Sequence, residues 1–172
     1  MEARLEQAAE AGLRVAVAES LTGGLLADAF VSVPGASTVF SGGLICYDTE
    51  LKGLLLGVDT ELLGRCGPVD PEVARQMAKG VREACAVTRG NADRPMPADI
   101  GLATTGVAGP DADPQTGQPP GTVWVAISSR LGERAVALHL DGDREQIRLE
   151  TVRRAVRELA RELDALGERQ LP

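Results

Sequence analysis

Aromatic side chains are nearly missing from this chain: one Trp, one Tyr and two Phe make up 2% of its 172 residues. So few rings cannot build a stacking platform for bases, and a net charge of -7 opposes a polyanionic partner, so nucleic acid binding is not expected. No run approaches the roughly 20 apolar residues that a membrane span needs. No charged-then-apolar leader stands before the first helical segment, and the chain reads as a cytoplasmic protein without membrane association. Cysteine is sparse as well. Cys46, Cys66 and Cys85 are odd in number and widely spaced, with no CxxC pair, which fits reduced thiols and offers no metal-ligand spacing. No Walker sequence and no GxGxxG follows a strand-like segment, so the fingerprints of nucleoside triphosphate and dinucleotide cofactors are missing, and no cofactor is expected.

The scarcest groups are those that move protons. His139 is the single histidine, and lysine occurs only at positions 52 and 79 against sixteen arginines. His139 alternates with Val136, Leu138 and Leu140 and so points to the less apolar face of a late strand, where a solvated or edge histidine is the plain reading. Lysine can lose its proton when desolvated, whereas a guanidinium stays charged. Any base in this chain is therefore sought first among two lysines.

What is present is ample for a core. Hydrophobic residues make up 44% and charged residues 25%, which fits one domain of ordinary size over 1–172 with an interior of Val, Leu, Ile and Ala. Leu5, Ala8 and Ala9 share one helical face before Gly12, and Leu13 to Ala18 reads as a strand. Gly24 to Val31 reads as a helix stopped by Pro34-Gly35, Thr38 to Tyr47 as a strand weakened at Gly42-Gly43, and Asp48 to Leu56 as a short helix ended by Gly57. Asp70-Pro71-Glu72 combines an N-cap, a proline at the first helical position and an acid, and Val73, Met77, Val81 and Ala84 continue it as one stripe. Arg89 to Pro97 reads as a polar surface loop. Strands follow at Ala98 to Thr104, Val123 to Ser128 and Arg134 to Leu140, the last two close enough for a hairpin around Arg130-Leu131-Gly132-Glu133. After Asp143 a long helix carries Leu149, Val152, Val156, Leu159, Leu163 and Leu166 in one seam, for the sheet or for a second subunit. The alternation predicts a three-layer α/β/α sandwich with a mixed, mostly parallel sheet of about five strands.

Four segments carry candidate chemistry. Ala16 to Leu25 runs an apolar strand into Ser20-Leu21-Thr22-Gly23-Gly24, placing a hydroxyl at a helix start where free N–H donors welcome an anion. Serine needs a base. Tyr47, the one tyrosine, and Lys52 flank the end of a strand and the start of the next helix, where open α/β sheets place ligands. Taken alone, Tyr47 reads as a half-buried strand residue and Lys52 as a surface charge paired with Asp48 four residues earlier. Thr104-Thr105-Gly106-Val107-Ala108-Gly109-Pro110 is a second strand emptying into a glycine turn, followed by a Pro/Asp/Gln-rich loop to Pro120 that reads either as a lid or as a rigid connection. Gly142-Asp143-Arg144 sets a cation at the unfavourable end of a helix dipole, which suits an anionic ligand or a pairing with Asp141 or Glu145.

Together with Gly42 to Tyr47, Leu56-Gly57-Val58 and Gly67-Pro68-Val69, these segments resemble the CinA C-terminal domain family over about residues 5 to 165. The family has stand-alone members that include nicotinamide-nucleotide amidase. The resemblance implies hydrolysis of the carboxamide of nicotinamide mononucleotide to nicotinic acid mononucleotide and ammonia, with no metal and no cofactor. It implies Ser20 as nucleophile, Lys52 as base and Tyr47 as the group assisting or orienting them. Thr22, Gly23 and Gly24 are implied around the oxyanion, Thr105 and Gly106 as substrate-holding positions, and Arg144 at the phosphate or carboxylate end. Thr49 departs from the asparagine common after the tyrosine. Longer family members attach an amino-terminal domain that this sequence lacks, so only the amidase function would be inherited. A homodimer or larger homo-oligomer is expected. The rival reading is a non-catalytic nucleotide-binding or regulatory module on the same fold.

Overall fold

The computed structural model describes residues 1–90 and 92–168. Helix α1 (Glu2–Glu10) leads into strand β1 (Val15–Glu19), and α2 (Leu25–Val31) with a 3-10 turn (Ala36–Thr38) returns the chain to β2 (Phe40–Ile45). Three helices follow, α3 (Thr49–Leu56), α4 (Thr60–Cys66) and α5 (Pro71–Ala84), before β3 (Ile100–Gly106). The hairpin β4 (Thr122–Ser129) and β5 (Gly132–His139) then precedes α6 (Arg144–Glu168).

The strands form one sheet in the order β2-β1-β3-β4-β5, parallel across β2-β1-β3 and antiparallel across β3-β4-β5. Four strands thus point one way and β4 alone opposes them, the mixed and mostly parallel sheet that the alternation predicts. From β1 the chain steps outward to β2 and then back across to β3, so the strand order reverses between β1 and β3. A crevice opens at such a reversal, beyond the carboxyl ends of the strands.

Alternation along β1 sorts the two layers by size. Val15 and Val17 face α1, α2 and α6, while Ala16 and Ala18 face the α3–α5 layer, all fully buried. The same holds in β3, with Ile100 and Leu102 on the first face and Gly101 and Ala103 on the other. Small side chains let α5 sit close to the sheet through Val73, Met77 and Val81. Alpha-3 in turn rests on α5 at Gly80, where a Cβ would stand only 1.8 Å from the Leu56 carbonyl oxygen. That approach needs glycine.

The sequence pattern and the fold differ in a few places. Helix α4 is not foreseen: seven residues hold only one pair of buried leucines, Leu62 and Leu63, behind the Asp59 cap, too few for a period to show. Ala9 and Ala84 are exposed, at the rims of their stripes. On α6 the inward face begins at Ile147 and runs through Thr151, Ala155, Leu159, Leu163 and Leu166, leaving Leu149 outside at 38% exposure. Thr151 can sit inward because its hydroxyl donates to the Ile147 carbonyl at 2.7 Å. This seam packs on the sheet and on α1 and α2. The glycines of β2 mark a bulge, since β1 partners jump from Phe40 to Gly42 and leave Ser41 over.

Candidate active site

Ser20 follows β1 directly, and its amide donates to the Thr104 carbonyl of β3, so the nucleophile candidate is the first residue past the sheet at the strand-order reversal. It borders a cleft of about 370 Å³, whose walls include Leu21, Tyr47, Lys52, Pro68, Thr105, Gly106, Asp111 and Arg144. Lys52 reaches this cleft from the second turn of α3, on the helix's buried stripe with Leu56. It is 0% exposed. Its Nζ donates to the Cys46 carbonyl at 2.8 Å and to Ser20 Oγ at 3.3 Å. Burial draws the Lys52 amine down from 10.5 to about 8, against the opposing pull of Cys46 and Asp48 toward the charged form. The surface pairing with Asp48 is not formed. Asp48 instead caps α3 by accepting from the Glu50 amide at 2.8 Å, because the local four-residue spacing yields to the burial of the α3 stripe.

Tyr47 stands at the mouth, 60% exposed, and its hydroxyl accepts from Arg144 at 3.0 Å. Among the described residues no hydrogen bond joins it to Ser20 or Lys52. Arg144 opens α6 and donates also to the Gly109 carbonyl at 2.5 Å, so neither Asp141 nor Glu145 holds it. The two residues thus bracket the entrance between the β2–α3 connection and the turn after β3. Thr105 and Gly106 line the wall, and the Thr105 hydroxyl donates to the Pro68 carbonyl at 2.7 Å.

Thr22, Gly23 and Gly24 do not line the cleft. The start of α2 is already filled by the protein's own carboxylate. Glu19, 0% exposed, accepts from the amides of Gly24 and Leu26 at 3.0 Å and of Ala27 at 2.8 Å. The Gly23 amide turns back to the Ser20 carbonyl at 3.1 Å, and the Thr22 hydroxyl pairs with that of Thr104 at 2.8 Å. Only the amides of Leu21 and Thr22 in this turn have no acceptor among the described residues. Glu19 was signalled by a carboxylate ending an otherwise apolar strand, yet its role depends on where α2 begins.

The loop after Pro110 is strapped down. Gln115 donates to the carbonyls of Leu63 and Gly64, and Gln118 to that of Val69, fixing the loop to α4 and the segment after it. This favours the rigid connection over a free lid. His139 is exposed at the end of β5, on the opposite edge of the sheet from β2. Among the described residues no three His, Cys, Asp or Glu side chains gather to hold a metal, the three cysteines are free, and no helix is long and apolar enough to cross a membrane.

The pattern of the CinA C-terminal domain matches residues 1–163. The chain belongs to this family. A relative from Geobacillus kaustophilus is 42% identical over 150 residues, covering 87% of this chain and 33% of its own length, and one from Bacillus subtilis is 40% identical over 139 residues, covering 81% and 30%. Both are named, provisionally, competence-damage inducible proteins. The chain spans about a third of the length of these CinA relatives. Among solved structures, a CinA superfamily protein from Klebsiella pneumoniae superposes with a TM-score of 0.83 at 28% identity, covering 94% of each chain. One from Escherichia coli gives 0.81 at 31%, covering 92% of this chain and 86% of that one.

Proposed function

We propose that this CinA-family chain is an amidohydrolase that converts nicotinamide mononucleotide to nicotinic acid mononucleotide and ammonia in pyridine nucleotide recycling. One observation carries the reading: a fully buried amine, drawn down to about 8, lies 3.3 Å from a serine hydroxyl at the edge of a cleft. Serine attacks an amide only when a neighbouring base takes its proton, and such a base works best with its pKa near the working pH.

In the proposed reaction Ser20 Oγ bonds to the carboxamide carbon while neutral Lys52 Nζ takes the hydroxyl proton. The carbonyl electron pair moves onto oxygen, giving a tetrahedral oxyanion. As that pair returns, the C–N bond breaks and the Lys52 ammonium protonates the departing nitrogen, which leaves as ammonia. Water, deprotonated by the same amine, then adds to the acyl-serine; the ester C–O bond breaks, the Lys52 ammonium returns its proton to Ser20 Oγ, and the carboxylic acid is released. Tyr47 and Arg144 at the mouth orient the mononucleotide, with the guanidinium toward its phosphate. The cleft volume falls within the range of small-ligand sites.

The test is ammonia release and chromatographic detection of the acid product, with wild-type protein and Ser20→Ala. Wild type should turn over and the variant should lose at least about a thousandfold while keeping its fold. Saturable binding of the mononucleotide with no ammonia would replace this reading by a silent nucleotide-binding module.

A further inference from the structure

Arg148 stands one turn beyond Arg144 on α6 and is half-buried. No carboxylate pairs with it among the described residues. Its Nε donates to the Leu21 carbonyl at 2.9 Å and a terminal nitrogen donates to the Thr22 carbonyl at 3.0 Å. A planar guanidinium that spans two successive main-chain carbonyls fixes the shape of that backbone, because its donors have a rigid fork geometry. The backbone in question is the turn immediately after Ser20.

We infer that Arg148 is a positioning residue, which holds this turn so that Ser20 Oγ faces Lys52 and the Leu21 amide stays open to the cleft as an oxyanion donor. The inference rests on the amidohydrolase reading. The turn has little stiffness of its own, since Gly23 and Gly24 take φ of +55° and +100°. It is held from two sides. Glu19 gathers the amides of α2, and Arg148 gathers the carbonyls that precede them.

The Ser20 carbonyl accepts from Gly23, and in a trans peptide the N–H lies opposite the carbonyl. The Leu21 N–H therefore points away from the turn. Leu21 lines the cleft, and its amide has no acceptor among the described residues. Leu21 is 3% exposed, and a buried amide left without a partner is costly, so a substrate oxygen in the cleft would complete it. The amide following a serine nucleophile supplies such a donor in the nucleophile-elbow arrangement of other hydrolases. A preorganised N–H gains most as charge builds on the substrate oxygen, which is where loss of alignment would be felt.

The experiment compares Arg148→Gln and Arg148→Lys with wild type, using labelling of Ser20 by a fluorophosphonate, read by intact mass, beside hydrolysis of the mononucleotide. Labelling rate and kcat should both fall about 10- to 100-fold in Arg148→Gln, with KM changed less than about twofold. Arg148→Lys, which keeps the charge but not the fork, should fall between. The pH midpoint near 8 set by Lys52 should not move, and methylguanidinium should restore part of the rate to Arg148→Ala. A merely structural arginine would lower the melting temperature, leave labelling of the folded variant at the wild-type rate and show no rescue, and that result overturns the inference alone. If the wild-type chain is neither labelled at Ser20 nor hydrolytic, the serine reading fails and this inference fails with it.

Discussion

The turn after β1 and the turn after β3 lie side by side at the carboxyl ends of two neighbouring inner strands, each a buried strand that empties into glycine beside a hydroxyl. They are held in different ways. The Ser20 turn is gripped by two charged side chains that do not border the cleft, Glu19 on its amides and Arg148 on its carbonyls, while the Ser20 hydroxyl is left to Lys52. The Thr105 turn has a single charged contact, Arg144 on the Gly109 carbonyl at the cleft mouth, and its hydroxyl is committed to the Pro68 carbonyl by a neutral hydrogen bond. Charge-assisted hydrogen bonds are about twice as strong as neutral ones, so the first turn, with five of them against one, is the stiffer. A hydroxyl that reacts gains from a rigid mount and a free proton path; a hydroxyl that only shapes a wall needs neither.

The sharpest way to break this contrast is to remove the base. Lys52→Met should lower kcat/KM by about a thousandfold in the ammonia assay, and the rise of wild-type rate with pH through about 8 should vanish. The same variant should be more stable at pH 7. With the folded value at about 8 and the ordinary value at 10.5, both states carry the proton below pH 8, so burial of the ammonium burdens the fold there and is relieved as pH rises toward 10.5. Chemical denaturation should show a gain on the order of 2–3 kcal/mol at pH 7, shrinking above pH 8. A Lys52→Met protein less stable than wild type at pH 7 would refute the buried, strained amine.

A smaller effect is expected from unplugging the helix. Glu19→Ala leaves three amides at the start of α2 without their acceptor and should cost about 2–3 kcal/mol in urea unfolding. A loss under about 0.5 kcal/mol would mean that water serves those amides equally well and that the turn is not mounted on charge. The least effect belongs to the other turn. Thr105→Val, close in shape, should raise KM about five- to tenfold with kcat nearly unchanged, the cost of one neutral hydrogen bond. A fall in kcat as large as that of the Ser20-turn variants would erase the distinction between the two.

Much of this architecture is legible in local pattern. The helix start at Asp70-Pro71 forms as its residue types require, with the Asp70 carboxylate accepting from the Glu72 and Val73 amides. The hairpin closes through Arg130-Leu131, and the strand alternation gives the layers. Ser20, Lys52, Tyr47, Thr105, Gly106 and Arg144 all border one cleft, because short motifs at strand ends converge wherever the strands are neighbours. What stays hidden is set by partners distant in sequence. Arg148 meets its carbonyls across more than a hundred residues, and Gln115 fastens its loop to a helix, α4, too short to announce itself. The amides of α2 look free until the preceding glutamate is seen to fold over them. Lys52 illustrates the same limit: spacing alone pairs it with Asp48, and only the packing of α3 on α5 shows which way the stem runs.

That packing has a consequence for how activity could be lost without touching a reactive group. The lysine stem has a limited reach, so its 3.3 Å contact with the serine depends on where α3 stands over the strand ends. Gly80 helps to set that position from α5, one helix away from any chemistry, by letting the Leu56 end of α3 rest directly on it. A single methyl group there would lift the Leu56 end of α3, and the amine would be withdrawn from the hydroxyl although no side chain of the cleft had been changed.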